Sequence, residues 1–247
     1  RTLTRERQWN KNASFLIEVC KFLLLMEDIP KENELKTFYE RLKSKNDFLE
    51  GNKHFWCSDF MVHHREQYYS SVRMHSTRTI ATEAINGEGL KSQYLADGCN
   101  LIMRTGNEYN NIFPVWNWRR IPGTTVEQNK PFKKEIRCYS DYGETDFVGG
   151  TSDGNYGTAA MKLSRDKLSA KKSWFFFDRE FIALVTDINC PSDNNVNTTI
   201  NQSLLKGDVV VSDGDNVEVL EKGEHLLSNR LIYHNQIGYI VLDNSKM

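Results

Sequence analysis

From His54 onward, the chain is made of short apolar or alternating runs that turn-forming residues interrupt at fairly regular intervals. Because successive side chains of a strand point to opposite faces of a sheet, this pattern predicts an all-β sandwich. The run from Lys172 to Val185 predicts a hairpin that turns at residues 178–180. The number of predicted strands is larger than one immunoglobulin-sized sandwich contains. This favours a mainly β chain with one large antiparallel sandwich. The other predicted strands lie near residues 55–63, 69–74, 101–103, 136–139, 158–164, 198–202, 209–211, 217–220, 230–234 and 238–242.

The first fifty residues follow the period of a helix instead. One helix is predicted to end at residues 28–30, and a second one covers about residues 31–45. Two helices cannot enclose a core alone, so we expect them to pack on the following domain or on a part of the protein outside this sequence. A linker near residues 48–53 then separates a short N-terminal helical segment, 1–52, from a β domain, 53–247. The apolar face of the first helix comprises Phe15, Leu16, Val19, Leu23 and Met26.

Charge and hydropathy favour neither nucleic acid nor a membrane as the partner of this chain. The 247 residues carry a formal net charge of −1, and the isoelectric point is near 6.7. The longest apolar run, Phe22–Met26, is too short to span a bilayer, and no secretion signal is recognisable. The many aromatic residues, 13 Phe, 10 Tyr and 5 Trp, are typical of a sheet-rich protein in which some rings face a ligand.

Cysteines and histidines give no sign of a metal centre. The cysteines are widely spaced without a C-x-x-C pair, so we predict buried thiols, with room for one disulfide and no structural zinc. His63 and His64 point to opposite faces of their predicted strand, which favours structural roles. The motifs of nucleophile elbows, zinc proteases, phosphate loops and calcium loops are absent, and the Gly-rich stretch 149–154 predicts a tight turn. The five cysteines are Cys20, Cys57, Cys99, Cys138 and Cys190.

One polar stretch, residues 76–89, stands out as a candidate site and is called the candidate segment below. Glu83 and Asn86 lie three residues apart among small and apolar neighbours, ahead of a Gly-Glu-Gly turn that allows unusual backbone angles. A carboxylate and an amide placed in this way fit the side chains of a partner or a sugar. Their spacing alone equally fits an ordinary polar loop.

Several segments, taken in order, resemble the central β domain of polysaccharide lyase family 8, the family of chondroitin AC, hyaluronate and xanthan lyases. The strongest match is the stretch 115–125, which carries Trp116, Trp118 and the run Pro-Gly-Thr-Thr and is called the Trp motif below. The matches extend from about residue 54 to the end of the chain, so chance agreement is a poor explanation. The other matching segments are 59–65, 71–78, 83–90, 94–98, 147–154, 172–178 and 198–202.

This resemblance implies a fold and a setting. The fold is a galactose mutarotase-like super-sandwich, which in the family lies between an N-terminal α/α toroid and a smaller C-terminal β domain. Residues 1–52 are then the tail end of the missing toroid or a linker, and the β domain packs on both neighbours in the full-length protein. The implied partner is an acidic polysaccharide, chondroitin sulfate or hyaluronan, and the implied location of the bacterial parent protein is secreted or periplasmic.

The resemblance also implies a reaction, the β-elimination that cleaves the bond to position 4 of a uronic acid. The C5 proton is weakly acidic while the adjacent carboxylate is ionised, so the enzyme must neutralise that charge before a base can act. In the family, an Asn, a His, a Tyr and an Arg of the toroid do this, and this chain contains no match to that set. The isolated chain is therefore expected to have little or no activity.

The resemblance implies a role for three residues of this chain. Glu83 corresponds to a glutamate that orients and charge-balances the Arg or His of the toroid, and Asn86 to an asparagine near the substrate. Tyr139 lies where a relative has a Trp that stacks on sugar, with core packing as the alternative. We expect no cofactor, because the calcium that some relatives bind near the Trp motif needs anionic oxygens. The corresponding residues here are Asn117, Arg119, Gln128 and Asn129.

Two other functions stay open at this point. A non-catalytic carbohydrate-binding module with the same sandwich would hold a uronic or sulfated polymer on exposed aromatic rings. A mutarotase-like enzyme would need a His and a carboxylate that converge in one cleft. The sequence that precedes Arg1 in the parent protein discriminates between them, because a helical domain with the Asn, His, Tyr and Arg decides for the lyase.

Overall fold

Antiparallel sheets make up most of the computed structural model, as the alternating pattern predicts. The structure describes residues 3–4, 7–8, 13–44, 49–82, 84, 87–132, 141–228 and 231–242. Of the predictions, the strand at 136–139 and the residues Glu83, Asn86, Cys138 and Tyr139 lie outside the described residues.

Both predicted helices are present near the N-terminus, although the first ends at Leu23 and not at residues 28–30. A two-residue ladder of β1 (Leu3–Thr4) and β2 (Arg7–Gln8) precedes α1 (Ala13–Leu23) and α2 (Glu32–Lys43). The two helices contact each other. The predicted apolar face of α1 is largely exposed, because Phe15, Leu16 and Val19 keep 62%, 42% and 37% of their surface. The described part of the chain therefore leaves this face uncovered.

The first large sheet has the strand order β3-β4-β5-β6. Its first hairpin corrects two predictions. The strand expected over 55–63 is interrupted by a 3-10 turn, Trp56–Ser58, and by Asp59, whose positive φ of 47° reverses the chain. Residues 51–53, expected in a linker, are instead paired with the following strand. The strands are β3 (Gly51–Phe55), β4 (Phe60–His64), β5 (Tyr69–Arg73) and β6 (Cys99–Met103), and β7 (Thr125–Glu127) follows.

The second large sheet contains the predicted hairpin. It comprises β8 (Val148–Ser152), β9 (Gly157–Arg165), β10 (Leu168–Phe176) and β11 (Phe181–Asn189), in the order β11-β10-β9-β8. The β10–β11 connection at 177–180 confirms the predicted turn. The tight turn predicted over 149–154 is wrong for residues 149–152, because they pair with β9 inside β8. At the sheet edge, β11 exposes Ile182, Leu184 and Ile188.

A third sheet follows near the C-terminus. The short strand β12 (Val196–Thr198) pairs with β7, and the predicted strand at 198–202 is wrong beyond its first residue. Asn201 and Gln202 instead use their side chains to bind Tyr109, Tyr239 and the Trp motif. The last four predicted strands are confirmed, in the order β14-β13-β15-β16. They are β13 (Val209–Ser212), β14 (Val217–Leu220), β15 (Leu231–His234) and β16 (Ile237–Ile240).

Two apolar clusters hold the sheets together. The first lies between the two large sheets, where Met61 and Val72 of one sheet meet Met161, Trp174 and Phe176 of the other. Each of these side chains is at least 99% buried, and burial of such a side chain stabilises a fold by about 2 kcal/mol. The second cluster is built around the Trp motif; its buried members are Tyr94, Leu95, Cys99, Tyr109, Ile112, Trp116, Trp118, Ile121 and Val126.

The cysteines follow the sequence prediction only in part. Cys20 and Cys99 are buried free thiols. The prediction of buried thiols is wrong for Cys57, which is exposed in the 3-10 turn after β3, and for Cys190, which is half-buried just after β11. Burial raises the pKa of the Cys99 thiol to about 12, so this side chain stays protonated and behaves as a small apolar group.

Candidate functional site

The candidate segment leaves the first sheet after β5 and runs toward β6. Glu83 and Asn86 lie outside the described residues, while the residues on either side of them are described. Gly87 and Gly89 have φ angles of 76° and 74°, which confirms that the Gly-Glu-Gly turn uses backbone conformations that glycine favours.

A buried carboxylate holds the start of the candidate segment. Asp59 is 1% exposed and accepts hydrogen bonds from the hydroxyl groups of Ser76, at 2.6 Å, and Thr79. Arg78 lies 3.5 Å from the same carboxylate and donates to the carbonyl groups of Asp146 and Val148. A buried carboxylate is costly unless it is paired and hydrogen-bonded, so these donors offset the cost. We call this group the Asp59 clasp.

The two ends of the segment are also joined to each other and to a neighbouring chain segment. Ala81 donates its N–H to the carbonyl group of Asp141 at 2.7 Å, beside the Ile80–Tyr142 bridge. The hydroxyl groups of Thr82 and Ser92 lie 2.7 Å apart, and Ser92 Oγ also donates to Gly89 O at 2.8 Å. These contacts close residues 82–92 into a loop of fixed width at its base.

An ionic cluster connects the segments next to the two ends of this loop. Arg165 donates to both oxygens of Asp97, from Nε at 2.7 Å and from Nη2 at 2.8 Å, and its Nη1 lies 3.6 Å from Asp141 Oδ1. His75 Nδ1 lies 3.4 Å from Asp97 and donates to Ala96 O at 2.9 Å. Burial alone would lower the pKa of Arg165, but the carboxylates of Asp97 and Asp141 raise it above its ordinary value. Arg165 is therefore charged at every relevant pH.

Two further cations lie near the ends of the loop, the half-buried Arg73 and the buried Lys172. Arg73 Nη2 approaches Ala81 O at 3.5 Å, and burial lowers the pKa of its guanidinium group. Lys172 donates to the carbonyl groups of Gly123 and Asp97. Burial lowers the pKa of Lys172 to about 8, although the Asp97 carboxylate acts in the opposite direction. The cationic groups of Arg73, Arg165 and Lys172 thus lie near the ends of the loop, together with the carboxylates of Asp97 and Asp141.

Sequence reasoning gave no role to these buried charges. Alternation along β9 and β10 contains the signal that could have found them, because Arg165 and Lys172 fall in the inward positions of their strands. The neighbouring inward positions are Ala159, Met161, Leu163, Leu168, Ala170, Trp174 and Phe176. An ionisable residue in such a series either binds a partner inside the protein or marks a site.

The predicted structural role of the paired histidines agrees with their contacts. His63 is fully buried, while His64 is half-buried on the opposite face of β4. His63 Nε2 donates to Phe177 O at 2.9 Å, and its Nδ1 lies 3.2 Å from the amide of Asn52. Burial lowers the pKa of both imidazoles, so they favour the neutral form.

Arg119 binds the turn at which the sequence predicts that the calcium site of some relatives is lost. Arg119 donates from Nε to Lys130 O at 2.9 Å, and its charged group lies 4.1 Å from the centre of the Phe132 ring. Gln128 uses its amide to donate to Val126 O, and Asn129 adopts a positive φ of 63° in the turn. The positive charge of Arg119 therefore already lies beside the carbonyl oxygen of Lys130 in this turn. Among the described residues, no group of three or more His, Cys, Asp or Glu is arranged to bind a metal.

The described residues also contain a surface cleft of about 350 Å³ that lies at the hairpin turns. Arg65 is one of the residues that line it, and it pairs with Asp178 at 2.9 Å and donates to Asn155 O at 2.6 Å. Tyr156 donates to the same aspartate at 3.0 Å. The lining includes no residue of the candidate segment. Because Arg65 is already bound by these turns, the cleft is best explained as a structural junction between them.

In the described ranges, none of the helices has the length and apolar character that a bilayer crossing requires.

Comparison with known proteins gives one consistent result. A family profile described as polysaccharide lyase family 8, super-sandwich domain, matches residues 50–247. Chondroitinase-AC of Pedobacter heparinus is 44% identical over 160 residues, which cover 65% of this chain and 23% of that protein. Hyaluronate lyase of Thermasporomyces composti is 31% identical over 157 residues, which cover 61% of this chain and 20% of that enzyme.

Solved structures agree with the sequence matches. A chondroitinase AC lyase structure, solved with oligosaccharides, superimposes with a TM-score of 0.77 and 35% identity. It covers 91% of this chain, which in turn covers 34% of that protein. Paenibacillus xanthan lyase has a TM-score of 0.68 and 25% identity, with 92% of this chain and 24% of that chain covered. The matched part of the chain thus spans about a fifth to a third of the length of these lyases.

Proposed function

Because the chain belongs to polysaccharide lyase family 8, we propose that it forms the central super-sandwich of an enzyme that cleaves an acidic polysaccharide by β-elimination. The observation that carries this proposal is the family match over residues 50–247, together with the superposition on a chondroitinase AC lyase. Residues 1–52 belong to the end of a preceding helical domain in this proposal. The exposed apolar face of α1 supports that assignment.

The proposed substrate is a uronic-acid polymer of the chondroitin or hyaluronan type. Identity to a chondroitinase-AC, at 44%, exceeds the 31% to a hyaluronate lyase and the 31% to a xanthan lyase of a Bacillus strain. The parent protein would act outside the cytoplasm, where such polymers are found.

The proposed roles divide between two parts of the parent protein. A base removes the C5 proton of the uronic acid, the C4–O bond breaks, and the leaving oxygen takes up a proton, so that an unsaturated sugar results. Groups outside this chain would supply the base and neutralise the carboxylate. Glu83 would orient and charge-balance the cationic side chain of that other part, Asn86 would contact the substrate, and Tyr139 would offer a ring to a sugar.

We also propose that the chain works without calcium or another cofactor. The guanidinium of Arg119 supports this, because it is hydrogen-bonded at the turn where some relatives bind the metal.

The test compares the parent protein with the isolated chain on chondroitin sulfate and hyaluronan. The ultraviolet absorbance of the unsaturated product measures the reaction. We expect turnover by the parent protein and none by the isolated chain, because the base lies outside the chain. A parent protein that binds either polymer without cleaving it would instead be a carbohydrate-binding protein, and turnover by the isolated chain would refute the division of roles.

A further inference from the structure

The side chain of Arg165 makes contacts toward both ends of the loop at residues 82–92. It is the last residue of β9 and points inward, with 8% of its surface exposed. Its planar group forms a two-pronged pair with Asp97, which is 1% exposed. Such a fork fixes both the distance and the orientation of the carboxylate, unlike the single point charge of a lysine.

One contact leads to the far end of the loop. The backbone N–H of Asp97 donates to Tyr94 O at 3.1 Å, and the N–H of Leu95 donates to Ser92 O at the same distance. Ser92 is in turn bound to Thr82 and Gly89 through its hydroxyl group. A fixed Asp97 therefore fixes the short 3-10 helix Ser92–Tyr94, against which the loop closes.

The other contact leads to the near end. Arg165 Nη1 lies 3.6 Å from Asp141 Oδ1, and the carbonyl group of Asp141 accepts the N–H of Ala81 at 2.7 Å. Asp141 Oδ2 is buried and has no hydrogen-bond partner in the part of the chain that the structure describes. Attraction to Arg165 is then the described interaction that offsets the cost of burying this carboxylate.

We propose that Arg165 is a positioning residue of the lyase, which fixes the two ends of residues 82–92 relative to each other through Asp97 and Asp141. The inference rests on the proposed function, because that loop carries Glu83 and Asn86. Catalytic groups that two domains share must meet within a fraction of an ångström, and a misplacement of about 1 Å costs about 100-fold in rate. A rigid guanidinium that contacts both Asp97 and Asp141 meets this demand better than the backbone alone.

Two variants of the parent protein test the inference. Asp141→Asn keeps the shape and the backbone bond to Ala81 but removes the charge that Arg165 faces. Arg165→Lys keeps the positive charge but loses the fork. We expect kcat to fall by about tenfold for Asp141→Asn and by more for Arg165→Lys. KM should rise by a smaller factor, because the loop also carries Asn86, whose proposed contact is with the substrate.

A matched control breaks an ion pair on the same sheet. Lys171 and Asp187 lie 2.6 Å apart on the surface, with more than 60% of each side chain exposed. Lys171→Met should leave kcat, KM and the melting temperature unchanged, since exposed pairs contribute little.

Hydrogen exchange supplies a readout that does not depend on turnover. We expect faster exchange at the amides of residues 81–97 in both variants, with unchanged exchange in β10. Faster exchange throughout the sandwich would overturn the inference, because Arg165 would then only stabilise the fold. Wild-type kcat together with wild-type exchange would overturn it as well. A wild-type parent without lyase activity would refute the proposed function alone, and the exchange data would still decide whether Arg165 holds the loop.

Discussion

Lys172 is an ammonium group inside the sandwich, held by carbonyl oxygens. Its Nζ donates to Gly123 and Asp97, and it lies 5.6 Å from the centre of the Trp174 ring. Cys99, which would gain from a nearby cation as a thiolate, stays protonated because it is fully buried. The carbonyl groups are therefore the hydrogen-bond partners of Lys172, and burial disfavours its charged form.

This effect of burial predicts a pH dependence of stability. The pKa of Lys172 is about 8 in the folded chain, against 10.5 as its ordinary value. Between these pH values the unfolded chain binds more protons, so the free energy of unfolding should rise with pH, by at most about 3 kcal/mol. Chemical denaturation from about pH 7 to about pH 9.5 measures this slope.

Lysine variants separate this slope from other titrations. Lys172→Met should flatten it, whereas Lys171→Met, which alters the exposed neighbour, should keep it. An equal slope in all three proteins would show that Lys172 is not its source.

Glu83 predicts a loss of turnover in the parent protein. Glu83→Gln keeps the size of the side chain but removes the charge that would orient a cation across the domain boundary. We expect kcat to fall by about two orders of magnitude, the scale for an orienting group in proton transfer. Steady-state kinetics on chondroitin sulfate measures this, with Glu88→Gln from the same segment as the control. A rate near that of the wild type would remove Glu83 from the mechanism.

Single residues show what the sequence could and could not predict. Alternation in β9 and β10 indicates that the side chains of Arg165 and Lys172 point inward, yet it gives no partner for either. Their partners, Asp97 and Gly123, lie 68 and 49 residues away along the chain. Contacts of that separation depend on the assembled sandwich, so local patterns do not contain them.

At the scale of elements, regular strands were easier to predict than the connections that carry the site. The hairpin of β10 and β11 follows from local alternation and a short polar turn. The turn between β3 and β4 was missed because its residues are aromatic or small, with Asp59 in the reversing position. Asn201 and Gln202 were assigned to a strand, although tertiary hydrogen bonds hold them in an irregular segment.

The Asp59 clasp predicts a local link between stability and the candidate segment. Asp59→Asn replaces one accepting oxygen by an amide donor that faces the hydroxyl groups of Ser76 and Thr79. We expect a loss of about 2–3 kcal/mol in the free energy of unfolding, as for a buried group left with mismatched partners. Denaturant titration measures it. Asp187→Asn, in an exposed ion pair, should change little, and equal midpoints for both variants would contradict the clasp.

At the scale of the molecule, the resemblance found in the sequence and the fold agree. Two four-stranded sheets enclose one core, and a third sheet follows, which a count of alternating runs can suggest. The interlocking of the sheets was not predictable, because Tyr109, Asn201 and Tyr239 join them through side chains. In the proposed function, the other half of the site would come from residues outside the chain.

Calcium independence is a prediction for the whole molecule. The guanidinium group of Arg119 donates to Lys130 O, in the turn that contains Gln128 and Asn129. We therefore expect the same melting temperature with millimolar calcium and with a chelator, because a ligand stabilises only the state that binds it. A rise in melting temperature that saturates with calcium would refute this, and Mg²⁺ serves as the control for ionic strength.

The exposed edge of β11 affects how the isolated chain behaves in solution. Ile182, Leu184 and Ile188 face solvent on the outermost strand of a four-stranded sheet. An apolar edge with free backbone groups can pair with the same edge of a second molecule. Concentrated samples of the chain should therefore self-associate and precipitate. A charged residue at Leu184 would act as a gatekeeper against aggregation without touching the core.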